Sequence, residues 1–305
     1  MYVIANENAG HGRGARVLAA VRPLLPADAA VAVTMCAGDA RVLAAKAAAR
    51  GEELVVALGG DGTVNEVVNG IADRGFGAAL GIIPGGGGND FAFALRIPTE
   101  PETAAATLRH GERRVIDVGA MVIGSGVCRY YVNTLGMGVS GYVARLAEAH
   151  GSKRGTYSYA MELVKMMFRV SPWPFDLEVD GEAVSHEAVY AQIANGRREG
   201  RVFTVAPEAE LDDGLLDMLV VTDVPLVKRP WFIVRGGSGH VPPGPNVIRM
   251  RVSSVRVRAG GPLPCHVDGE PFTLEGGAEA RVEVLPGRLT VIAPAKTGLP
   301  ATSGR

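Results

Sequence analysis

The sequence predicts an α/β N-terminal domain built on a parallel sheet, followed by a mostly antiparallel β C-terminal domain. Three observations carry this. Short apolar strands alternate with helices over the first third of the chain, the pattern of a sheet covered on both faces. From about Arg113 the strand-like runs follow one another directly, separated by Gly and Pro turns. The length of 305 residues is about twice the ~150 residues of one typical domain. The expected division is 1–120 and 121–287, with a strand at about 288–295 as a candidate to return to the first domain.

Taken in order, Tyr2–Ala5 reads as a strand, followed by the Gly-rich loop NENAGHGRG. Ala15–Leu25 reads as a helix with Val17, Leu18, Val21, Leu24 and Leu25 on one face, ended by Pro26. Ala30–Met35 is a strand and Ala40–Arg50 an alanine-rich helix closed by Gly51. Leu54–Leu58 is a buried strand running into GGDGT, and Val64–Ala72 the helix after it. Ala79–Ile83 is a further strand, followed by PGGGGND and a helix from about Asp90. In the second half RVIDVGAMVI, RYYVNTLGMG, FDLEVDGE, AVYAQIANG, LDMLVV, RMRVSSVRVRA and RVEVLPGRLTVIA read as strands. Thr156–Val170 is the one convincing helix there, and the tail after Pro294 is expected to be disordered.

Composition removes several classes of function. Lys plus Arg is 31 and Asp plus Glu 32, for a net charge of -1. No global basic field exists for nucleic acid, which is not expected as a partner. Cys36, Cys128 and Cys265 lie far apart, which disfavours a disulfide framework or a zinc site. The N-terminus has no basic and apolar signal segment, and no uncharged apolar run reaches the ~18 residues of a membrane span. A cytoplasmic chain is expected, dissolved or bound peripherally to the inner face of the membrane. Gly at 41 residues is roughly double the average ~7% share, which places glycines in turns and ligand loops.

Those loops carry the chemistry. GGDGTVNEV (Gly59–Val67) lies between a buried strand and a helix, and Thr63 with Glu66 has the spacing of a capping box. Gly59, Gly60 and Gly62 permit close backbone approach, so that amide N–H groups and the helix dipole face an anion. The loop is neither GxGxxG nor GxxxxGK[ST], so a dinucleotide fingerprint and a Walker lysine are both missing. PGGGGNDFA (Pro84–Ala92) repeats the arrangement at a second strand end, and Asn6–Gly14 supplies a third loop. Three such loops would enclose a polyphosphate.

GGDGTVNEVVNGI followed by GIIPGGGGNDFAFAL resembles the catalytic domain of the diacylglycerol kinase family, which shares its nucleotide domain with sphingosine, ceramide and NAD kinases. VNTLGMGVSGYVARLAE, IANGRREG, VAPEAELDDGLLDMLVV and CHVDGEPF follow in the family's order. The resemblance implies an NAD-kinase-like nucleotide domain and a β-rich lipid domain. It implies an ATP-dependent lipid kinase, making phosphatidate from diacylglycerol. The alternatives are a sphingoid-base or ceramide kinase and a catalytically weak nucleotide- or lipid-binding regulator. Its partner is a membrane-derived lipid, with peripheral membrane contact, and a homodimer is left open.

By the same resemblance, ATP is held by Asn6 to Gly10, Thr34, Gly59, Gly60, Asp61, Gly62, Thr63, Asn65 and the loop of Gly87. Glu270 of Asp268-Gly269-Glu270 is the implied base, with Asp268 and Asp61 as catalytic neighbours. An alcohol is a poor nucleophile at neutral pH, and a positioned carboxylate contributes roughly 10²–10⁴-fold. FDLEVDGE holds a second D-G-E, Asp180 to Glu182, which only its place in the family order excludes. A Mg²⁺ is implied at the Asp213 side chain and the main-chain oxygens of Glu210 and Leu215, an oxygen-only set suited to a hard cation. Asp61 and Asp117 are candidates for an acidic chain linking that metal to the nucleotide. Two departures from the family pattern stand out: Asn6-Glu7 where Asn-Pro is usual, and Gly87 where Thr is usual.

Other features have plainer readings. The six histidines show no metal-binding spacing and read as surface or ordinary core positions. Arg249, Arg251, Arg256 and Arg258 read either as a solvated sheet face or as a headgroup patch. The apolar helix Thr156–Val170 reads either as core or as an acyl-chain or interface element.

Overall fold

The computed structural model describes residues 1–150, 171–201, 203–229, 231, 235, 241 and 243–295. Its first part is β1 (Tyr2–Ala5), α1 (Ala9–Val21), β2 (Ala30–Val33), α2 (Asp39–Ala49), β3 (Leu54–Gly59), α3 (Asp61–Ala72) and β4 (Ala79–Pro84). The short helices α4 (Asp90–Ala94) and α5 (Pro101–His110) follow. β2, β1, β3 and β4 pair in parallel in that order. β3 and β4 are apolar runs with almost every residue buried, as a strand covered on both faces requires.

The second part begins with β5 (Glu112–Ile123), β6 (Val127–Tyr131), β7 (Thr134–Gly138) and α6 (Val139–His150). Next come β8 (Trp173–Val179), β9 (Glu182–Ala194), β10 (Arg198–Glu199), β11 (Phe203–Thr204) and β12 (Leu216–Thr222). The chain closes with β13 (Val247–Val252), β14 (Ser254–Ala259), β15 (Leu263–Val267), β16 (Glu270–Leu274) and β17 (Glu279–Ala293). All pairings among these strands are antiparallel. The α/β first part and antiparallel second part are the expected fold class.

One strand joins the two regions. β17 pairs antiparallel with β5 along most of its length, and Val291 pairs in parallel with Leu80 of β4. Its register shifts between Leu285 and Leu289, where Gly287 takes a left-handed φ of 59°. The Gly287 N–H donates to Asp117 Oδ1 at 2.7 Å, so a buried carboxylate fixes the irregularity. One large apolar cluster fills the parallel part and a second fills the antiparallel part.

Several expectations are corrected. The first helix begins at Ala9, although Gly10, His11 and Gly12 have left-handed backbones, so the regular turns start beyond them. It ends in a tighter turn at Arg22–Leu24 containing Pro23, because proline there removes a donor and stops the helix before Pro26 is reached. The capping box does not form: α3 starts at Asp61, and Gly60 makes no side-chain cap. Glu66 instead accepts the N–H groups of Gly38 and Ala40, each at 3.0 Å, and so braces the N-terminus of α2. The second half also holds α6, a helix hidden in the sequence by its glycine-rich approach LGMGVSG. The expected helix Thr156–Val170 lies outside the described residues, as does the tail from residue 296.

Candidate active site

The loops after β1, β3 and β4 press backbone against backbone. Gly85 N–H donates to Gly59 O at 2.7 Å and Asn6 N–H to Leu58 O at 2.9 Å. Gly10 has φ 57°, and a Cβ there would stand 2.6 Å from Gly85 O. A Cβ on Gly86 would stand 2.4 Å from Gly60 Cα. Only glycine allows this approach, and the three loops together form a cradle of closely packed backbone. Asn6 ties two loops together: its Nδ2 donates to Thr63 Oγ1 at 3.1 Å and its Oδ1 accepts the Asn8 N–H at 3.1 Å. Thr34 is buried at the end of β2 with its hydroxyl directed at Ala5 O. Gly87 has open space around it and no left-handed φ.

Beside the cradle is a cavity of about 420 Å³. Asp61, Gly87, Asp90 and Asp268 line one side, and Val143, Ala144 and Ala147 of α6 supply an apolar wall. Burial and then the charge of Asp90 push the Asp61 carboxyl up to about 6. Asp268 accepts N–H groups from Val132 at 3.0 Å, Asn133 at 3.0 Å and Thr134 at 2.8 Å, and from Asn65 Nδ2 at 2.8 Å. Burial raises its pKa against the pull of those donors. Asn65 therefore spends its amide on Asp268 and on Tyr130 O, coupling α3 to β6 and to the turn between β15 and β16. Glu270 stands at the exposed rim rather than in the cavity wall. Partial burial and Glu66 push its carboxyl up, with Arg129 opposing.

The Asp213 turn lies apart from this cavity. Asp213 Oδ1 accepts the Leu215 N–H at 3.0 Å, and its other oxygen pairs with Arg251. Asp117 accepts the Gly214 N–H at 2.6 Å and so links that turn to β17. Among the described residues no group of three or more His, Cys, Asp or Glu side chains is gathered to hold a metal. The donor set of one carboxylate and two main-chain oxygens fits a hard cation in chemistry, but the guanidinium of Arg251 already neutralises that carboxylate. Of the four arginines read as a patch, Arg256 and Arg258 pair with Glu178 and Glu279, and Arg249 donates to Val241 O. The solvated sheet face is the reading this pairing favours. No described helix is long and apolar enough to cross a membrane.

Asp90, Arg198 and Arg201 were not singled out from the sequence. Asp90 is 4% exposed and receives Arg198 Nε at 2.8 Å and the Arg201 N–H at 2.9 Å. Arg198 also lies over the Phe93 ring at 3.7 Å. The sequence signal was present in PGGGGND and IANGRREG, both of which are motifs of the resemblance, but nothing local says that they meet.

Comparison with known proteins follows the same division. Residues 1–121 match the diacylglycerol kinase catalytic domain, and residues 133–293 match the YegS C-terminal NAD kinase beta sandwich-like domain. A Bacillus subtilis (strain 168) diacylglycerol kinase is 32% identical over 242 residues, covering 78% of this chain and 77% of that one. A Pseudomonas aeruginosa (strain UCBPP-PA14) protein named "Probable lipid kinase YegS-like" is 34% identical over 301 residues, covering 98% of this chain and 95% of its own. The crystal structure of a diacylglycerol kinase from Bacillus anthracis str. Sterne shares the fold, with a TM-score of 0.73 at 24% identity over 97% of both chains.

Proposed function

This chain belongs to the diacylglycerol kinase family and is a lipid kinase, and from that premise we propose that it transfers the γ-phosphoryl group of ATP to the hydroxyl of diacylglycerol. The observation that carries the reading is the cavity whose one side is glycine backbone and carboxylate and whose other side is the apolar face of α6. A polyphosphate and an acyl-bearing alcohol can meet there. Residues 1–120, with the returning strand at 288–295, form the ATP domain in this reading, and residues 121–287 the lipid domain.

The phosphates lie against Asn6 to Gly10, Gly59 to Thr63 and the loop of Gly87, where main-chain N–H groups stabilise charge without reorganising. Glu270 accepts the proton of the lipid hydroxyl as that oxygen attacks phosphorus; its raised pKa makes it a stronger base than an ordinary carboxylate. Asp268 holds the turn that carries Glu270, and Asp61 stands at the start of α3 beside the phosphates. Asp213 with the main-chain oxygens of Glu210 and Leu215 would hold a Mg²⁺, provided that Arg251 swings away. Mg²⁺ bound with ATP supplies neutralisation of the phosphate charge. The lipid is taken from a membrane surface by peripheral contact.

The test is transfer itself. Purified protein is incubated with γ-labelled ATP, Mg²⁺ and mixed micelles of diacylglycerol, ceramide or a sphingoid base, and the lipids are separated. Label is expected in phosphatidate. Label confined to ceramide or sphingoid phosphate would move the substrate assignment, and unlabelled lipids throughout would overturn the reading.

A further inference from the structure

His266 of β15 is 0% exposed, and its ring makes polar contacts at both nitrogens. Nδ1 accepts the Gly269 N–H at 3.1 Å, inside the D-G-E turn. Nε2 lies 2.7 Å from Ser140 Oγ and 2.8 Å from Glu199 Oε1. Ser140 Oγ donates to that same glutamate oxygen at 2.8 Å, and Gln192 Nε2 donates to the other at 2.5 Å. A ring nitrogen that accepts an amide N–H carries no proton of its own, so the ring proton is on Nε2, facing Glu199. Burial works against the glutamate charge, and the hydrogen bonds from His266, Ser140 and Gln192 work for it.

The cluster has the residue types of a hydrolytic triad but not its wiring. Hydroxyl and carboxylate share Nε2, while Nδ1 is taken by backbone, so Ser140 has no free base to activate it. The ring is also held by shape. Gly136 of β7 pairs with His266 across the sheet, and a Cβ at Gly136 would stand 2.2 Å from Nε2.

We propose that His266 is a positioning residue for phosphoryl transfer: oriented by Glu199 and Ser140, its Nδ1 fixes the Gly269 amide and thereby the direction in which the turn presents Glu270. The proposal rests on the reading of Glu270 as base. The amide that Nδ1 holds joins Asp268 to Gly269, in the middle of the turn and one residue before Glu270, whereas the donors on the Asp268 carboxylate hold only the first residue of the turn. A small displacement of a reacting group is enough to lower the rate with binding untouched.

Two variants separate the contacts of the ring. In His266→Asn the amide oxygen takes the place of Nδ1 and can accept the Gly269 N–H. In His266→Gln the amide takes the place of Nε2, reaches Glu199 and leaves Gly269 without an acceptor. His266→Asn is expected to keep kcat within about threefold, and His266→Gln to lower it about tenfold with both KM values unchanged. Equal kcat in the two variants, high or low, would overturn the proposal. Nitrogen NMR of histidine-labelled wild-type protein reads the same point without a substitution. The buried ring should be protonated at Nε2, and protonation at Nδ1 would overturn the proposal. Wild-type turnover in Glu270→Gln would instead remove the base reading, whereas a large loss there with equal Asn and Gln variants removes the role of His266 alone.

Discussion

Two hairpins of this chain turn on the same three residues, Asp180-Gly181-Glu182 between β8 and β9 and Asp268-Gly269-Glu270 between β15 and β16. Their backbones are near copies. Asp180 and Gly181 have φ of 48° and 93°, and Asp268 and Gly269 have 46° and 89°, the two positive angles of the tight hairpin that Asp-Gly favours. Their surroundings differ. Asp180 is exposed and accepts from the N–H groups of Ser253 and Ser254 on the next hairpin. Those bonds and the serine hydroxyls overcome a little burial and lower its pKa. Asp268 faces the cavity and reaches across to α3, where burial raises its pKa despite four donors. Local sequence therefore writes the turn, and only what packs around it gives the carboxylates different chemistry.

The largest contrast should be in stability. Asp268→Ala leaves the Val132, Asn133 and Thr134 N–H groups without their acceptor and takes from the Asn65 amide one of its two, and each buried unpaired donor costs about 1–3 kcal/mol. Denaturant unfolding should show a loss of at least about 3 kcal/mol. Asp180→Ala, at an exposed turn, should lose about 1 kcal/mol or less. Similar losses would mean that the surroundings do not distinguish the two turns.

Asp61 extends the comparison to pH. Its pKa rises from the ordinary 3.8 to about 6, so between those values the folded chain keeps a proton that the unfolded chain has lost. This contribution is complete below the unfolded pKa and is lost as pH rises through about 6. Asp61→Asn has no such proton to lose. Its stability advantage over wild type should widen from about pH 4.5 to about pH 8, approaching about 3 kcal/mol. An advantage that does not change with pH would place Asp61 among ordinary aspartates.

The smallest effect concerns a glycine that is not required by its turn. Unlike Gly181 and Gly269, Gly87 has no left-handed φ and open space about it. Gly87→Thr should be tolerated and should lower the KM for ATP several-fold, a gain of about 1 kcal/mol from one hydrogen bond to a phosphate oxygen. A higher KM for ATP, with lipid KM unchanged, would show that the loop needs glycine freedom near the nucleotide.

What could be read from the sequence follows the same division between local and distant causes. The strands β1, β3 and β4 and the glycine loops after them were legible because apolar runs and glycine clusters are local signals. The capping box was not: Thr63 and Glu66 have the spacing, yet Asn6 takes the hydroxyl and α2 takes the carboxylate. Both competitors come from other loops. Helix α6 was hidden by glycines, of which Gly138 has φ 73° and ends β7 rather than loosening a strand. The Asp90–Arg198 pair spans 108 residues, and His266 looked like one more isolated histidine until Ser140 and Glu199 arrived beside it. Motif order, not local pattern, pointed to Glu270.

We propose that position alone makes one D-G-E turn the catalytic one. It is tested most directly by measuring turnover in Glu270→Gln and Glu182→Gln side by side, with both melting temperatures recorded. Glu270→Gln should retain the fold and lose at least about 10²-fold in kcat, the scale of a lost general base. Glu182→Gln should match wild type. Comparable turnover in the two variants would show that position does not separate the two turns.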